Sequence, residues 1–310
     1  MTKFLAKPAV KIIVSDAGLG GLSVCAELAQ LLERRGDFEV ADIVYFNACP
    51  DLHLGYDILP NMAERTRVFN CALEGMQRLN PDAILIACNT LSVMYENTPF
   101  SRKVAIPVVD IVGFGVDLIQ NYLQTTPAGQ AIIFGTPTTI EANTHLRQLI
   151  ARGVDSQRIV CQPCPQLPDK IENGPERPPA TDMIENYVRK AVARLPDRRQ
   201  PLAAALCCTH FGYSRKPFVQ SLARHIHSPI TILNPNSAMS ACLTGPGNGK
   251  APIKPCINVS MLSKYNFPEE KILPISQILA PISQATADAL KHYRYDPALF
   301  EFKTTVSCGK

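Results

Sequence analysis

Ala83-Ile-Leu-Ile-Ala-Cys-Asn-Thr90 runs apolar, reaches a thiol at Cys88 and turns polar. The same shape returns 120 residues later as Ala203-Ala-Ala-Leu-Cys-Cys-Thr-His210, with Cys208 in the place of Cys88. The offset of 120 also lays Lys11-Ile-Ile-Val-Ser-Asp16 on Ala131-Ile-Ile-Phe-Gly-Thr136. Two strand-like segments, each followed by a polar turn, therefore recur in register, which reads as an internal duplication. These segments are apolar on both faces rather than alternating, the pattern of strands in a parallel sheet covered by helices on both sides.

Outward from these stretches, 12–14, 42–46, 83–86, 104–109, 131–134, 159–161, 202–206 and 230–233 read as buried strands. The amphipathic stretches 22–35, 62–80, 114–123, 140–152, 182–195 and 216–225 read as helices. Strand and helix in alternation give an α/β fold, here two pseudo-symmetric doubly wound lobes with mainly parallel sheets and an active site in the cleft between them. The expected limits are 1–109 plus 228–310 for the first lobe, with Asp16 and Cys88, and 110–227 for the second, with Thr136, Glu172, Cys208 and His210. Ligands of such sheets bind beyond the carboxyl ends of the strands, where Asp16, Cys88, Thr136 and Cys208 fall. The proline-rich stretch 163–179 excludes a long helix or a central strand and suits either a linker or an active-site loop. Residues 246–255 read as a boundary, and the tail beyond it offers one helix, 281–293, with proline in its first turn.

Composition narrows the function. A chain of 310 residues, 46% hydrophobic and 19% charged, is long enough for two globular lobes. The net charge of +4 is spread thinly, and the basic cluster at 194–199 has no aromatic residue interleaved, so no nucleic-acid partner is expected. No apolar run approaches the roughly 18 residues of a membrane span, and the N-terminus lacks a signal-peptide pattern. Eleven irregularly spaced cysteines without an export signal point to free thiols in a reducing, cytoplasmic compartment. Cys161-Gln-Pro-Cys164 is a lone pair with no partner pair at zinc spacing and reads as two small, partly buried thiols.

Asp16-Ala-Gly-Leu-Gly-Gly-Leu-Ser23 follows a strand and opens a helix, so its amides are expected to meet an anion on the substrate. Its spacing, Gly18-x-Gly20-x-x-Ser23, departs from the dinucleotide fingerprint. Cys88-Asn89-Thr90 and Cys208-Thr209-His210 each place a thiol at a strand end beside polar groups. A lone cysteine there would read as buried packing. Recurrence in two lobes facing one cleft instead suggests two bases on opposite sides of one carbon, with His210 as partner and proton relay for Cys208.

The blocks Asp16–Ser23, Ala87-Cys-Asn-Thr90, Gly135-Thr136, Cys164-Pro-Gln-Leu-Pro-Asp-Lys-Ile-Glu172 and Cys208-Thr-His-Phe211 resemble, in order, those of the cofactor-independent glutamate racemases of the aspartate/glutamate racemase superfamily. The resemblance implies an amino-acid racemase that interconverts L- and D-glutamate, uses no metal or pyridoxal cofactor and supplies D-glutamate for peptidoglycan. It assigns Cys88 and Cys208 as the acid/bases, Asp16, Glu172 and His210 as their assistants, and Asn89, Thr90 and Thr209 as holders of the substrate's carboxylate and amino groups. Ala17, Gly55 and Thr136 complete the expected substrate site. Relatives are commonly homodimers, and no interface can be picked out of this sequence.

The sequence departs from the family at Ala17, where a substrate-binding serine is usual, and along Ala48-Cys-Pro-Asp-Leu-His-Leu-Gly55, where His53 and Asp51 are the polar candidates to substitute. Phe211-Gly212 stands where an aromatic-proline pair is usual. These changes fall on the pocket that selects the side chain. They leave open an aspartate or broader-specificity racemase, a dicarboxylate isomerase, or a non-catalytic ligand-binding protein.

Overall fold

The strand Ala9–Asp16 (β1) is buried from Ile12 to Asp16 and sits between two parallel neighbours, Val40–Asn47 (β2) and Ala83–Ile86 (β3). In the computed structural model, which describes residues 7–36, 38–51, 55–243 and 255–302, β3 pairs in parallel on its other side with Val108–Asp110 (β4). The second sheet is built from Gln130–Gly135 (β5), Ile159–Pro163 (β6), Leu202–Cys207 (β7) and Ile230–Leu233 (β8), again all parallel. In the tail, Cys256–Ser263 (β9) pairs with β2, and Arg294–Tyr295 (β10) pairs with β9. The sheet orders are β10-β9-β2-β1-β3-β4 and β6-β5-β7-β8.

Stripping β9 and β10 from the first sheet leaves the order β2-β1-β3-β4, which β6-β5-β7-β8 repeats strand for strand. The duplication seen in the sequence is therefore a duplication of topology. In each half the chain leaves its first strand to one side and returns on the other, which creates a switch point at the carboxyl ends.

Strand parity decides which cysteine reaches which side. Along β7, Leu202, Ala204, Leu206 and then Cys208 pack into one core, while Ala203, Ala205 and Cys207 pack into the core on the opposite face. Along β3, Ile84, Ile86 and then Cys88 share a face, opposite Ala83, Leu85 and Ala87. The helix Leu22–Arg35 covers the first sheet and ends at Gly36, whose φ of 62° only glycine adopts readily and whose N–H closes on Leu32 O.

Three expectations need correction. Ile230–Leu233 pairs with β7, so the chain does not return to the first lobe at Ser228; it crosses back after Leu233, and the helix Pro235–Ser240 packs on Leu22–Arg35. The expected helix 140–152 is two helices, Pro137–Glu141 and Thr144–Ala151, broken at Asn143 with φ 57°, a conformation asparagine tolerates. The tail, expected to offer one helix, adds β9, β10 and the helices Glu269–Leu279 and Gln284–Lys291, the latter capped by Ser283 and shorter than 281–293. Pro274 lies inside Glu269–Leu279, where proline is unfavourable, yet Lys271, Ile275, Ser276 and Leu279 bury one face of it. Most of the boundary at 246–255 lies outside the described residues, as does His53. No described helix is long and apolar enough to cross a membrane.

Candidate active site

The ends of β1, β3, β5 and β7 each deliver one polar group to the gap between the sheets. Asp16 closes β1, Cys88 follows β3 as the N-cap of the helix Asn89–Tyr95, Thr136 follows β5 and caps Pro137–Glu141, and Cys208 follows β7. The proline-rich stretch folds back as the helix Leu167–Glu172, which turns Glu172 inward. Asp16, Ala17, Gly55, Cys88, Asn89, Thr90, Thr136, Glu172, Cys208, Thr209 and His210 all line the same cleft.

On the first-lobe side, burial and then the Asp16 charge push the Cys88 thiol well above the ordinary thiol range, so it rests protonated. Asp16 accepts the Ala17 N–H at 2.6 Å and, across the cleft, the Thr209 hydroxyl at 2.6 Å. Asn89 is fixed through its oxygen, 3.2 Å from His145 Nε2. Burial drives His145 down to about 4, so it is neutral near pH 7 and donates to that oxygen. The Asn89 amide nitrogen consequently has no partner among the described residues and remains a buried donor on the cleft wall. Thr90, Thr136 and Thr139 form a hydroxyl triangle, with Thr90 Oγ1 2.8 Å from Thr136 Oγ1 and 3.3 Å from Thr139 Oγ1.

On the second-lobe side, Cys208 Sγ lies 3.8 Å from His210 Nδ1, and His210 Nε2 lies 2.8 Å from Glu172 Oε1. Burial opposes charge on His210, but the hydrogen bonds to Cys208 and Glu172 outweigh it and hold the imidazole protonated well above its usual range. Burial likewise opposes the Glu172 carboxylate, yet His210 and Lys271 bring it down to about 2. The two thiols therefore sit in unlike surroundings, one beside a carboxylate and one beside a cation.

The glycine turn does something other than expected. The Leu19 amide donates to Glu172 Oε1 at 2.9 Å, so the anion met there is the protein's own carboxylate, and the Ala17 amide is taken by Asp16. The glycines permit close approach: a Cβ on Gly18 would come within 2.9 Å of the His210 ring, and one on Gly20 within 2.6 Å of His210 Nδ1. Thr209, expected to hold the substrate, already gives its hydrogen to Asp16. Sequence reasoning missed Cys49, Tyr56, Asp169, Phe267 and Lys271 on the cleft wall, and His145 behind Asn89. Among the described residues no group of three or more His, Cys, Asp or Glu is arranged to hold a metal ion.

No protein-family model matches the chain. A glutamate racemase of Ectopseudomonas mendocina is 27% identical over 230 residues, 73% of this chain and 78% of that protein. Among solved structures, the glutamate racemase of Campylobacter jejuni superposes with a TM-score of 0.64 at 20% identity, covering 87% of this chain and 98% of that one. The Francisella tularensis glutamate racemase in complex with D-glutamate gives 0.63 at 20% identity, with 89% and 94% covered. The chain resembles the glutamate racemases and shares their fold. On the glutamate racemase fold seen here, the cleft between the two sheets carries both thiols, and the tail strands β9 and β10 widen the first sheet.

Proposed function

We propose that the protein is a cofactor-independent amino-acid racemase that interconverts L- and D-glutamate by proton exchange between two cysteines at Cα. One observation carries this reading: Cys88 and Cys208 end equivalent strands of two like-ordered sheets and line one cleft from different lobes. A Cα–H is far less acidic than a thiol, whose reference pKa is about 8.5, so the site must supply a thiolate and stabilise the developing carbanion. In this proposal Cys208, beside the His210 imidazolium, removes the proton from one face while the protonated Cys88 thiol delivers one to the other. The reverse direction exchanges the roles, with Asp16 and His210 carrying protons to and from the sulfurs. Asn89, Thr90 and Thr136 hold the carboxylate and amino groups, and fixing Cα between the sulfurs removes most of the orientational cost. The resemblance extends this to a cytoplasmic role in making D-glutamate for peptidoglycan.

Racemisation in heavy water should place deuterium at Cα, and Cys88→Ala and Cys208→Ala should each reduce turnover by at least about a thousandfold. Retention of turnover in both single variants overturns the two-base reading. A second reading, a superfamily racemase for a different side chain, is favoured by the wall around Ala17. There the Tyr56 hydroxyl is spent on Ala48 O and the Cys49 thiol on Asp51 O. A panel of L- and D-amino acids followed by optical rotation separates the two: activity on aspartate without glutamate selects the second.

A further inference from the structure

Lys271 is carried into the cleft by the tail helix Glu269–Leu279 and is 6% exposed. Its Nζ lies 2.9 Å from Glu172 Oε2 and 2.8 Å from Asp169 Oδ1. Glu172 spends its other oxygen on His210 and the Leu19 amide, and His210 in turn touches Cys208. A continuous chain of contacts thus runs from the tail to the second thiol. Burying an ammonium costs several kcal/mol unless it is fully paired, so this lysine is held where carboxylates demand it.

We infer that Lys271 is a positioning residue, which clamps Glu172 against His210 and balances the charge beside Cys208, so that the tail completes the active site. With Lys271 present, the carboxylates of Asp169 and Glu172 face three cations (Lys271, Lys170 and His210); without it they face two, and of these only His210 touches Glu172. Other titratable groups bear on the cluster. Lys170 pairs with Asp169 from the same helix, Asp16 and Tyr45 face it from β1 and β2, and Tyr213 follows β7. Cys49 lies near Glu172, and Glu269 and Glu270 on the helix of Lys271 are exposed. Removing one fixed positive charge and loosening His210 both leave the Cys208 sulfur beside less positive charge, which slows its reaction with an electrophile.

The kinetic arm rests on the racemase reading; a second arm does not. In full-length protein, Lys271→Met and Lys271→Gln should lower kcat by about 10- to 100-fold with KM changed less than about threefold, while Lys271→Arg restores most of kcat. In a Cys88→Ala background, alkylation of Cys208 by iodoacetamide, followed by mass spectrometry, should slow at least about threefold at neutral pH. Its rise with pH should move upward by about half a unit or more in the neutral variants and not in Lys271→Arg. Unchanged alkylation profiles in both neutral variants overturn the inference, as does an arginine variant as impaired as the methionine one. So does a KM raised more than about tenfold at unchanged kcat, which would make Lys271 a substrate ligand. If the wild-type protein racemises no amino acid, the functional reading fails while the alkylation arm still decides the role of Lys271.

Discussion

Asn89 shows how one buried hydrogen bond sets the polarity of a cleft. Because neutral His145 occupies the amide oxygen, the amide nitrogen is left as the group presented to the substrate. Asn89→Ala should therefore cut kcat/KM by about a hundredfold in a racemisation assay, and a change under about threefold would remove Asn89 from the site. His145 also titrates with a definite sign. Its value is about 4 in the fold against 6.5 for the free side chain, so between those values the unfolded chain binds more protons. Stability from this residue is full above about pH 6.5 and is lost as pH falls towards 4, by roughly 3 kcal/mol. Urea unfolding between pH 7 and pH 4 should show that slope in the wild type and lack it in His145→Gln; parallel curves would contradict the assignment. Cys88, Cys208 and His210 were legible in the sequence because apolar strands end in polar turns at them. His145 and Lys271 were not, since partners 56 and 99 residues away recruit them. Lys271 did leave a trace: it stands in phase with Ile275 and Leu279, a charge on an otherwise apolar helical stripe.

At the scale of elements, the glycine turn after β1 is defined by what packs on it. Gly20→Ala would drive a methyl group into Thr209 and His210 together. It should lower both the melting temperature and kcat, whereas Ala at Gly113, which meets open space, should leave both near wild type. Thermal unfolding and turnover of the two variants check this, and a Gly20→Ala protein that behaves as wild type would show that the turn yields. The central strands β1, β3, β5 and β7 were readable because sheets covered on both sides demand residues apolar on both faces. β9 follows a different rule. Its Ile257, Val259 and Met261 alternate with polar residues, a half-buried strand joining β2 from the far end of the chain. Met261→Ala, at a residue 1% exposed, should cost about 2–5 kcal/mol in urea unfolding; under about 1 kcal/mol would mean that β9 contributes little to the sheet.

Across the whole molecule, the lobes are joined by hydrogen bonds that are also site geometry: Asp16 to Thr209, the Leu19 amide to Glu172, Thr90 to Thr136, and Arg65 to Thr138 at 3.0 Å. Thr209→Val removes the donor that a buried carboxylate relies on. It should cost about 1.5–3 kcal/mol in urea unfolding and lower kcat, and a neutral result would mean that Asp16 finds another partner. The unlike settings of the two thiols have one more consequence. Mirror-image amino acids have equal free energies, so equilibrium holds kcat/KM identical for the two directions of a racemase. Unequal bases can then show themselves only as kcat and KM rising or falling together for one enantiomer relative to the other. A cleft with a carboxylate on one side and an imidazolium on the other should grip one hand of its substrate more tightly and turn it over correspondingly more slowly.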